Sequence, residues 1–418
     1  MKFIHAADIH LDSPLRGLAT YGDAPVEALR TASRTAFTNL IDQAIEQAVD
    51  FVVIAGDLYD GTWKDYNTGY YLCRQMGRLK EASIPVYLLY GNHDAESEMT
   101  KKLVLPDNVN VFVPNKAATF RIDHLKVVLH GRSFKEPATT DNLAMTYPDP
   151  EAGWINIGVL HTALEGYAAH ASYAPCSLAQ LVAKGYDYWA LGHVHEHAIL
   201  NKEPWVVFPG NIQGRHIKET GAKGGVVVTV EDSKIQTVER LIVDVVRWHR
   251  IQIDAAGAAS MNEVVLLVGK ALESLGIGET DIELHAIRVT ISGKCAAHGE
   301  LFGMEPQLRA EVIGQAEAIG RGRIWVEKVK VETEPPVDAE GIRARKDAIA
   351  DLQTYLDQAP SDADLLKELQ DYFQVLAGKA PPEVRSGVTE FERIQAGDIA
   401  AIIESVRPSL IARLAKTE

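Results

Sequence analysis

The sequence predicts an α/β protein whose first part is a layered domain of strands and helices. In residues 1–245, short apolar runs of strand length alternate with helical or polar stretches, a pattern typical of sheets covered by helices. Residues 246–335 read as a small α+β domain of β-α-β-α-β order. After two consecutive prolines, residues 336–418 form a C-terminal helical segment whose apolar residues share helix faces. We therefore expect three regions with these boundaries.

The composition indicates a globular protein of a reducing compartment. The chain has 418 residues, of which 46% are hydrophobic and 24% charged, as in ordinary folded proteins of two or three domains. Its three cysteines lie far apart, and their odd number argues against a disulfide framework. No run reaches the roughly 18 apolar residues that span a bilayer, and the N-terminus lacks a signal-peptide pattern. We expect a cytoplasmic protein without a membrane span.

The net charge of -15 argues against a protein that coats nucleic acid by bulk attraction. Aspartate and glutamate together number 57, against 42 lysines and arginines. This excess does not exclude a nuclease, because acidic metal ligands contribute to it and bound cations reverse the charge locally.

Five apolar runs in the first domain end in histidine, aspartate or asparagine. The runs are MKFIHAADIH, DFVVIAGDLYD, IPVYLLYGNHD, INIGVLHT and YDYWALGHVHEH. In open α/β sheets, ligands collect at the carboxyl ends of strands, so we expect these polar side chains to meet. They are Asp8, His10, Asp57, Asp60, Asn92, His93, Asp94, His161, His193 and His195.

Imidazole and carboxylate donors without a thiolate suit Mn, Fe or Zn and do not suit a structural zinc cage. Taken singly, each motif has an ordinary explanation: His161 would be a core or loop histidine, and His197 reads as a solvated loop residue. The combination of all the motifs at strand ends is better explained by a metal site. A carboxylate such as Asp57 can bridge two ions, which then clamp the attacking and leaving oxygens of one displacement.

The ordered motifs resemble those of the calcineurin-like metallophosphoesterases: D-x-H, G-D-x-x-D, G-N-H-[DE], a later histidine and G-H-x-H. All are present in the first half of this chain. Within that family, HAADIHLDSPL and the small domain that follows are similar to the SbcD-type DNA repair exonucleases. The resemblance implies a four-layer α/β/β/α sandwich with a small capping domain, and a two-metal-dependent nuclease that hydrolyses phosphodiester bonds in DNA.

The resemblance also implies roles for individual residues. His93 would face the scissile phosphate as a general acid, with Asp94 orienting its ring. Asp60 stands where some relatives have a second catalytic histidine, and whether it only supports the site is open. The family implies two divalent ions, for which Mn²⁺ is expected and Fe, Zn or Mg remain alternatives. The first ion would be held by Asp8, His10, Asp57 and His195, and the second by Asp57, Asn92, His161 and His193.

The partners implied by the resemblance are DNA and an SbcC-like coiled-coil ATPase, with a homodimer as a further implication. The C-terminal helices would dock on the ATPase, and packing of these helices on their own domains is the equal alternative. The glycine-rich loop GNIQGRHIKETGAKGG carries Arg215, Lys218 and Lys223. We expect this loop to approach the DNA backbone, and a solvated hairpin is the equal alternative. Arg132 is open to either a phosphate contact or a structural ion pair.

Two other functions stay open at the level of sequence. The first is a phosphodiesterase that acts on small nucleotide substrates, because the same metal centre serves several substrate classes. The second is a non-catalytic scaffold that binds other proteins. The intact set of ligand residues argues against the scaffold, since a scaffold has no need to keep them.

Overall fold

The computed structural model describes residues 1–13, 24–60, 66–96, 103–165, 173–277, 282–335, 348–379 and 389–415. The chain divides into two compact units. The first contains the N-terminal strand and Pro25–Trp248, and the second contains His249–Thr280 and His285–Glu418. The boundary at Trp248 lies close to the expected end of the first domain. The C-terminal helices group with the small domain in the second unit.

One six-stranded sheet of the first unit carries the N-terminal strand near its middle. Its strands are β1 (Lys2–Ala6), β2 (Phe51–Ala55), β3 (Val86–Leu89), β4 (Val109–Val111), β11 (Gly224–Glu231) and β12 (Lys234–Ile242). Their order across the sheet is β12-β11-β1-β2-β3-β4. Strands β1 to β4 run parallel, so the carboxyl ends of β1, β2 and β3 lie at one edge.

A second six-stranded sheet has its own parallel centre. Its strands are β5 (Ala118–Ile122), β6 (Val127–Gly131), β7 (Ile155–His161), β8 (Tyr188–Gly192), β9 (Ala198–Lys202) and β10 (Trp205–Phe208). Their order is β5-β6-β7-β8-β10-β9, with β6, β7, β8 and β10 parallel and the two edge strands antiparallel.

The two sheets face each other across a buried aromatic layer. The rings of Phe3 and Phe51, on neighbouring strands of the first sheet, stack at 4.7 Å. Phe3 also meets Tyr188 of the second sheet edge-on at 5.5 Å, and all three residues are fully buried. His5 adds a polar link, with Nδ1 3.0 Å from the Tyr188 hydroxyl. Burial lowers the pKa of His5 to about 3, which keeps the ring neutral.

Helices cover the outer faces of both sheets. Among the described residues of the first unit, the helices are α1 (Val26–Glu46), α2 (Tyr66–Glu81), α3 (Asn92–Glu96) and α4 (Leu178–Ala183), with short 3₁₀ turns at Asp123–Leu125 and Ala144–Thr146. Phe37 of α1 and Leu72 of α2 pack on the outer face of the first sheet. Leu181 of α4 packs beside Trp189 on the outer face of the second. This arrangement confirms the predicted four-layer α/β/β/α sandwich.

The second unit contains a group of strands and helices that precedes the C-terminal helices. Its elements are β13 (Val246–Asp254), α5 (Met261–Glu273), β14 (Leu284–Lys294), α6 (His298–Gly303), α7 (Glu305–Gly320) and β15 (Ile324–Glu334). The strands form a three-stranded sheet with β14 in the middle. The short helix α6 is an addition to the predicted β-α-β-α-β order. Ser260 caps α5, because its hydroxyl accepts the backbone N–H of Glu263.

In the described part of the C-terminal segment the helices are α8 (Ala348–Gln358), α9 (Ala363–Lys379), α10 (Thr389–Ala396) and α11 (Ile399–Ala415), with a 3₁₀ turn at Ala359–Ser361. Helix α11 packs against α6 of the small domain. Ile399, Ile402 and Ile403 are buried in a small core of this segment. In contrast, Tyr372 and Val375 of α9 are 69% and 61% exposed. The helices therefore bury part of their apolar surface internally and leave part of it accessible.

Two expectations about the protein's environment can be compared with the structure. Cys73, Cys176 and Cys295 are all free thiols, and the last two are buried. Within the described ranges, no helix has the length and apolar character needed to cross a membrane.

Replacing Gly158 by alanine should destabilise the first unit. Gly158 on β7 pairs with Trp189 on β8, and a β-carbon there would overlap the buried indole ring. Because the sheet is closely packed, we expect Gly158→Ala to lower the free energy of unfolding by about 1–3 kcal/mol. Urea denaturation of the full chain would measure this.

Gly77→Ala is the matched control. Gly77 lies inside α2, and a β-carbon at this position would meet nothing within 4 Å. Because glycine is a poor helix former, this change should stabilise the protein by about 0.5–1 kcal/mol. Equal effects of the two substitutions would contradict the packing described for β7 and β8.

Candidate metal centre

The carboxyl ends of five strands form one cluster of polar side chains. β1, β2 and β3 contribute from the first sheet, and β7 and β8 contribute from the second. The structure therefore brings together all the residues that the sequence predicts as metal ligands. Within the described residues, two groups have the geometry to hold an ion: Asp8, His10 and His195, and Asp57, His161 and His193.

In the first group, the ligand atoms lie within 4.8 Å of one another. The Nε2 atoms of His10 and His195 are 3.2 Å apart, and His195 Nε2 is 4.0 Å from Asp8 Oδ1. The backbone N–H of His193 donates to both oxygens of Asp8, at 3.1 and 3.0 Å. The end of β8 thereby holds the carboxylate that follows β1.

In the second group, His161 Nε2 faces Asp57 Oδ2 at 3.4 Å and Asn92 Oδ1 at 3.0 Å. His161 Nδ1 lies 3.0 Å from the carbonyl oxygen of Ala55, so it donates there and leaves Nε2 to bind an ion. Asp57 Oδ2 is also 4.0 Å from His10 Nε2 of the first group. One carboxylate oxygen therefore lies between the two groups, as a bridging ligand requires.

The backbone at several of these residues is strained. Asp8, His10 and Asp57 have φ angles of 51°, 46° and 51°, and His193 has φ of 99°. Residues other than glycine rarely adopt this left-handed region, and such residues concentrate at functional sites. At the ends of β1, β2 and β8 the chain turns sharply, which aims these side chains into the cluster.

Glycines in two of the motifs make room for the ligands. A β-carbon at Gly91, before Asn92, would overlap Oδ1 of Asp57. A β-carbon at Gly192, before His193, would overlap the carbonyl oxygen of Ala55. The glycine of each motif is therefore needed for close approach between neighbouring strand ends.

The buried charge of the cluster fits a site for divalent cations. Asp8 and Asp57 are each only 1% exposed. Burial raises the pKa of Asp8 to about 6, an effect that His195 and His161 oppose. Burial also acts on Asp57, but His161, His10 and His93 outweigh it and hold its pKa well below the usual range. Two buried carboxylates need compensating positive charge, which an oxygen- and nitrogen-binding cation supplies.

His93 lies at the open side of the cluster, with 38% of its side chain exposed. Its backbone N–H donates to Asp57 Oδ1 at 3.0 Å. Its ring Nδ1 faces Asp60 Oδ1 at 3.3 Å, and Asp60 Oδ2 accepts a hydrogen bond from the Ser13 hydroxyl at 2.5 Å. Asp60 is therefore the carboxylate positioned to orient the His93 ring.

The expected pairing of Asp94 with the His93 ring is wrong. Asp94 is fully buried, and its oxygens accept the backbone N–H groups of Leu58, Tyr59 and Gly91 at 3.0–3.1 Å. These bonds tie the loop after β2 to the loop after β3. Buried backbone N–H groups need hydrogen-bond acceptors, and the Asp94 carboxylate accepts from these three groups. Asp94 therefore shapes the site without contacting the His93 ring.

The basic residues of the glycine-rich loop differ in their surroundings. Lys218 is exposed. Arg215 lies at the cluster, with its guanidinium 3.2 Å from Glu219 and 3.9 Å from Asp60. Lys223 is 5% exposed and donates to the backbone carbonyl of His195 at 2.8 Å, so it does not extend toward a nucleic acid. Binding of DNA by Arg215 and Lys218 stays a prediction.

Sequence reasoning missed Glu219, whose carboxylate lies 2.7 Å from His195 Nδ1. The available signal was a single acidic residue inside an otherwise basic, glycine-rich loop.

Arg132 donates its Nε–H to the carbonyl oxygen of Pro114 at 3.0 Å, which is a structural contact. A contact between Arg132 and phosphate stays a prediction.

Family models match most of the two predicted domains. The calcineurin-like phosphoesterase model matches residues 1–197, and a model described as the middle domain of metallophosphoesterase YhaO matches residues 248–334. The chain is 34% identical over 279 residues to a Bacillus subtilis (strain 168) protein described as uncharacterized metallophosphoesterase YhaO. That match covers 66% of this chain and 68% of the relative.

More distant relatives carry the name DNA double-strand break repair protein Mre11. The Methanopyrus kandleri protein is 30% identical over 222 residues, covering 47% of this chain and 44% of the relative. The Methanococcus maripaludis protein is 26% identical over 213 residues, covering 48% and 53%. The chain thus spans about half the length of these two proteins.

A dimetal phosphatase crystal structure from Danio rerio matches with 11% identity and a TM-score of 0.34, covering 58% of this chain and 98% of that chain. This similarity is too low to support any inference. The two family models match the segments that carry the motifs and the three-stranded sheet of the second unit. This chain belongs to the calcineurin-like metallophosphoesterases, which are metal-dependent phosphoester hydrolases.

Proposed function

We propose that this metallophosphoesterase is a DNA nuclease of the SbcD type that hydrolyses phosphodiester bonds in DNA repair. The observation that best supports metal-dependent phosphodiester hydrolysis is the position of Asp57 between two donor groups, with His93 accessible at their open side. The two relatives named as Mre11 DNA double-strand break repair proteins favour DNA as the substrate. The preferred ions in this proposal are two Mn²⁺, which suit mixed imidazole and carboxylate donors.

Each residue of the cluster has a role in the proposed reaction. Divalent ions, when held by the Asp8 group and the Asp57 group, would supply Lewis acidity to the scissile phosphate. The buried carboxylates of Asp8 and Asp57 place negative charge at this edge of the sheet. His93 presents Nε2 to the substrate, because its Nδ1 faces Asp60. As a water oxygen attacks the phosphorus and the bond from phosphorus to the sugar oxygen breaks, His93 protonates that leaving oxygen from Nε2, while Asp60 holds the ring in position.

The same proposal assigns the C-terminal helices to an SbcC-like coiled-coil ATPase. The exposed residues Tyr372, Val375 and Leu376 lie on one stretch of α9. An exposed aromatic residue among aliphatic neighbours is typical of protein interfaces. A cytoplasmic location belongs to this proposal too, since three free cysteines fit a reducing compartment.

Removing the His93 ring should separate catalysis from metal binding. We expect His93→Ala to bind Mn²⁺ as the wild type does and to cleave DNA about 10²–10⁴-fold more slowly, because a general acid is lost. Isothermal titration with Mn²⁺ and cleavage of a labelled oligonucleotide measure the two effects. His124→Ala, which removes an exposed histidine from a surface turn, should cleave at the wild-type rate. Loss of Mn²⁺ from His93→Ala would contradict this role.

Asp57→Asn should remove the bridge between the two ions. With one charge and one ligand oxygen lost, the variant should retain at most one Mn²⁺ and show no measurable cleavage. Asp123→Asn, an exposed aspartate of the same surface turn, serves as the control. Retention of both ions by Asp57→Asn would overturn the bridging role of Asp57.

Single- and double-stranded oligonucleotides should be compared with a cyclic nucleotide and a dinucleotide as substrates. Faster hydrolysis of the small substrates would point to a nucleotide phosphodiesterase and overturn the DNA assignment.

The double substitution Tyr372→Ser and Val375→Ser should weaken docking of the coiled-coil ATPase by about tenfold or more, as loss of an apolar interface anchor does. Folding and hydrolysis should be unchanged, because both side chains are exposed. Binding of the purified coiled-coil base measures the effect. Leu266→Ser on α5 removes another exposed apolar residue, 60% exposed, and is the control. If both variants lost binding equally, or if neither lost it, the assignment of the α9 surface to ATPase docking would be contradicted.

A further inference from the structure

The glycine-rich loop between β10 and β11 holds His195 at two points. The Glu219 carboxylate lies 2.7 Å from Nδ1 of the His195 ring. From the same loop, the Lys223 ammonium donates to the backbone carbonyl of His195 at 2.8 Å. Glu219 and Lys223 are only 8% and 5% exposed, so both contacts are shielded from water. Ring and backbone of this one residue are therefore both fixed by the loop.

Glu219 is itself held in place by its own loop. Its Oε2 accepts the backbone N–H of Arg215 at 2.8 Å and the Asn211 side-chain amide at 3.2 Å. Its Oε1 accepts the Arg215 guanidinium at 3.2 Å. Because both oxygens of Glu219 accept hydrogen bonds from the loop, the carboxyl group that faces the His195 ring has a fixed direction.

A carboxylate at Nδ1 determines which nitrogen of His195 is available to an ion. Glu219 accepts a proton from Nδ1, so the lone pair lies on Nε2. Nε2 points into the cluster, 3.2 Å from His10 Nε2 and 4.0 Å from Asp8 Oδ1. The corresponding contact of His161 is to a neutral carbonyl, that of Ala55. A hydrogen bond to a charged acceptor is stronger than one to a neutral carbonyl. It therefore makes Nε2 of the His195 ring a better electron-pair donor to a cation.

We propose that Glu219 and Lys223 are positioning residues that fix His195 for metal binding. In this proposal the buried part of the glycine-rich loop serves the metal centre, while the exposed Lys218 remains available to substrate. The inference rests on the proposed function through the role of His195 as a ligand. Loss of Glu219 should lower the affinity for the ion at Asp8, His10 and His195 more than the affinity for the ion at His161 and His193.

Mn²⁺ titration of the metal-free full chain tests this directly. We expect Glu219→Gln to bind one of two Mn²⁺ ions about 10–100-fold more weakly, the usual effect of losing the partner of a ligand histidine. The second ion should bind as in the wild type. Glu327→Gln is the matched control, because Glu327 is a buried glutamate, 5% exposed, that pairs with Arg288 in the second unit. It should leave both Mn²⁺ affinities unchanged.

A double-mutant cycle distinguishes positioning from a general effect on folding. If Glu219 acts through the ring, Glu219→Gln should change Mn²⁺ binding less than twofold in a His195→Asn background. A purely structural role would lower Mn²⁺ affinity by the same factor in both backgrounds. Should Glu219→Gln fail to fold, as judged by circular dichroism, Glu219→Asp takes its place in the same cycle, because it keeps the charge but withdraws it from Nδ1.

The outcomes separate this inference from the proposed function. Two Mn²⁺ ions in the wild type with unchanged affinities in the Glu219 variant would overturn the positioning role and leave the nuclease proposal standing. Fewer than two ions in the wild type would overturn the metal centre and the inference with it. A selective loss of one ion that disappears in the His195→Asn background supports the proposal.

Discussion

The position of the Asp57 carboxylate is the constraint on which the rest of the site depends. One oxygen lies 3.4 Å from His161 Nε2 and 4.0 Å from His10 Nε2, so a single residue joins the two donor groups. Its other oxygen accepts the backbone N–H of His93. A buried carboxylate with these neighbours is stable only if positive charge compensates it. The same group therefore links metal binding to the placement of the proposed general acid.

The fold provides this geometry by aligning the ends of two sheets. The aromatic layer of Phe3, Phe51 and Tyr188 fixes how the sheets face each other. Asp94 then ties the loops after β2 and β3 together through three backbone N–H groups. Left-handed backbone at the strand ends turns the ligands inward. The strain at these residues is tolerated because the packed sheets beneath them are rigid.

The sequence predicted the layered fold because strand-length runs and helical periodicity are local patterns. It also predicted the residues that gather at the sheet edge, since each stands at the end of such a run. Contacts between loops distant in sequence were not predictable in this way. Asp60, and not Asp94, faces the His93 ring, and Glu219 reaches His195 across 24 residues of chain. Lys223 was expected in a loop that approaches DNA, with a solvated hairpin as the alternative, and its burial against a carbonyl depends on tertiary packing.

Anomalous X-ray diffraction from crystals grown with Mn²⁺ tests the central claim most directly. If Asp57 bridges two ions, the anomalous map should contain two peaks separated by about 3.5–4 Å, one on each side of its carboxylate. One peak should contact His10 and His195, and the other His161 and His193. A single peak, or two peaks that share no contact with Asp57, would contradict the account.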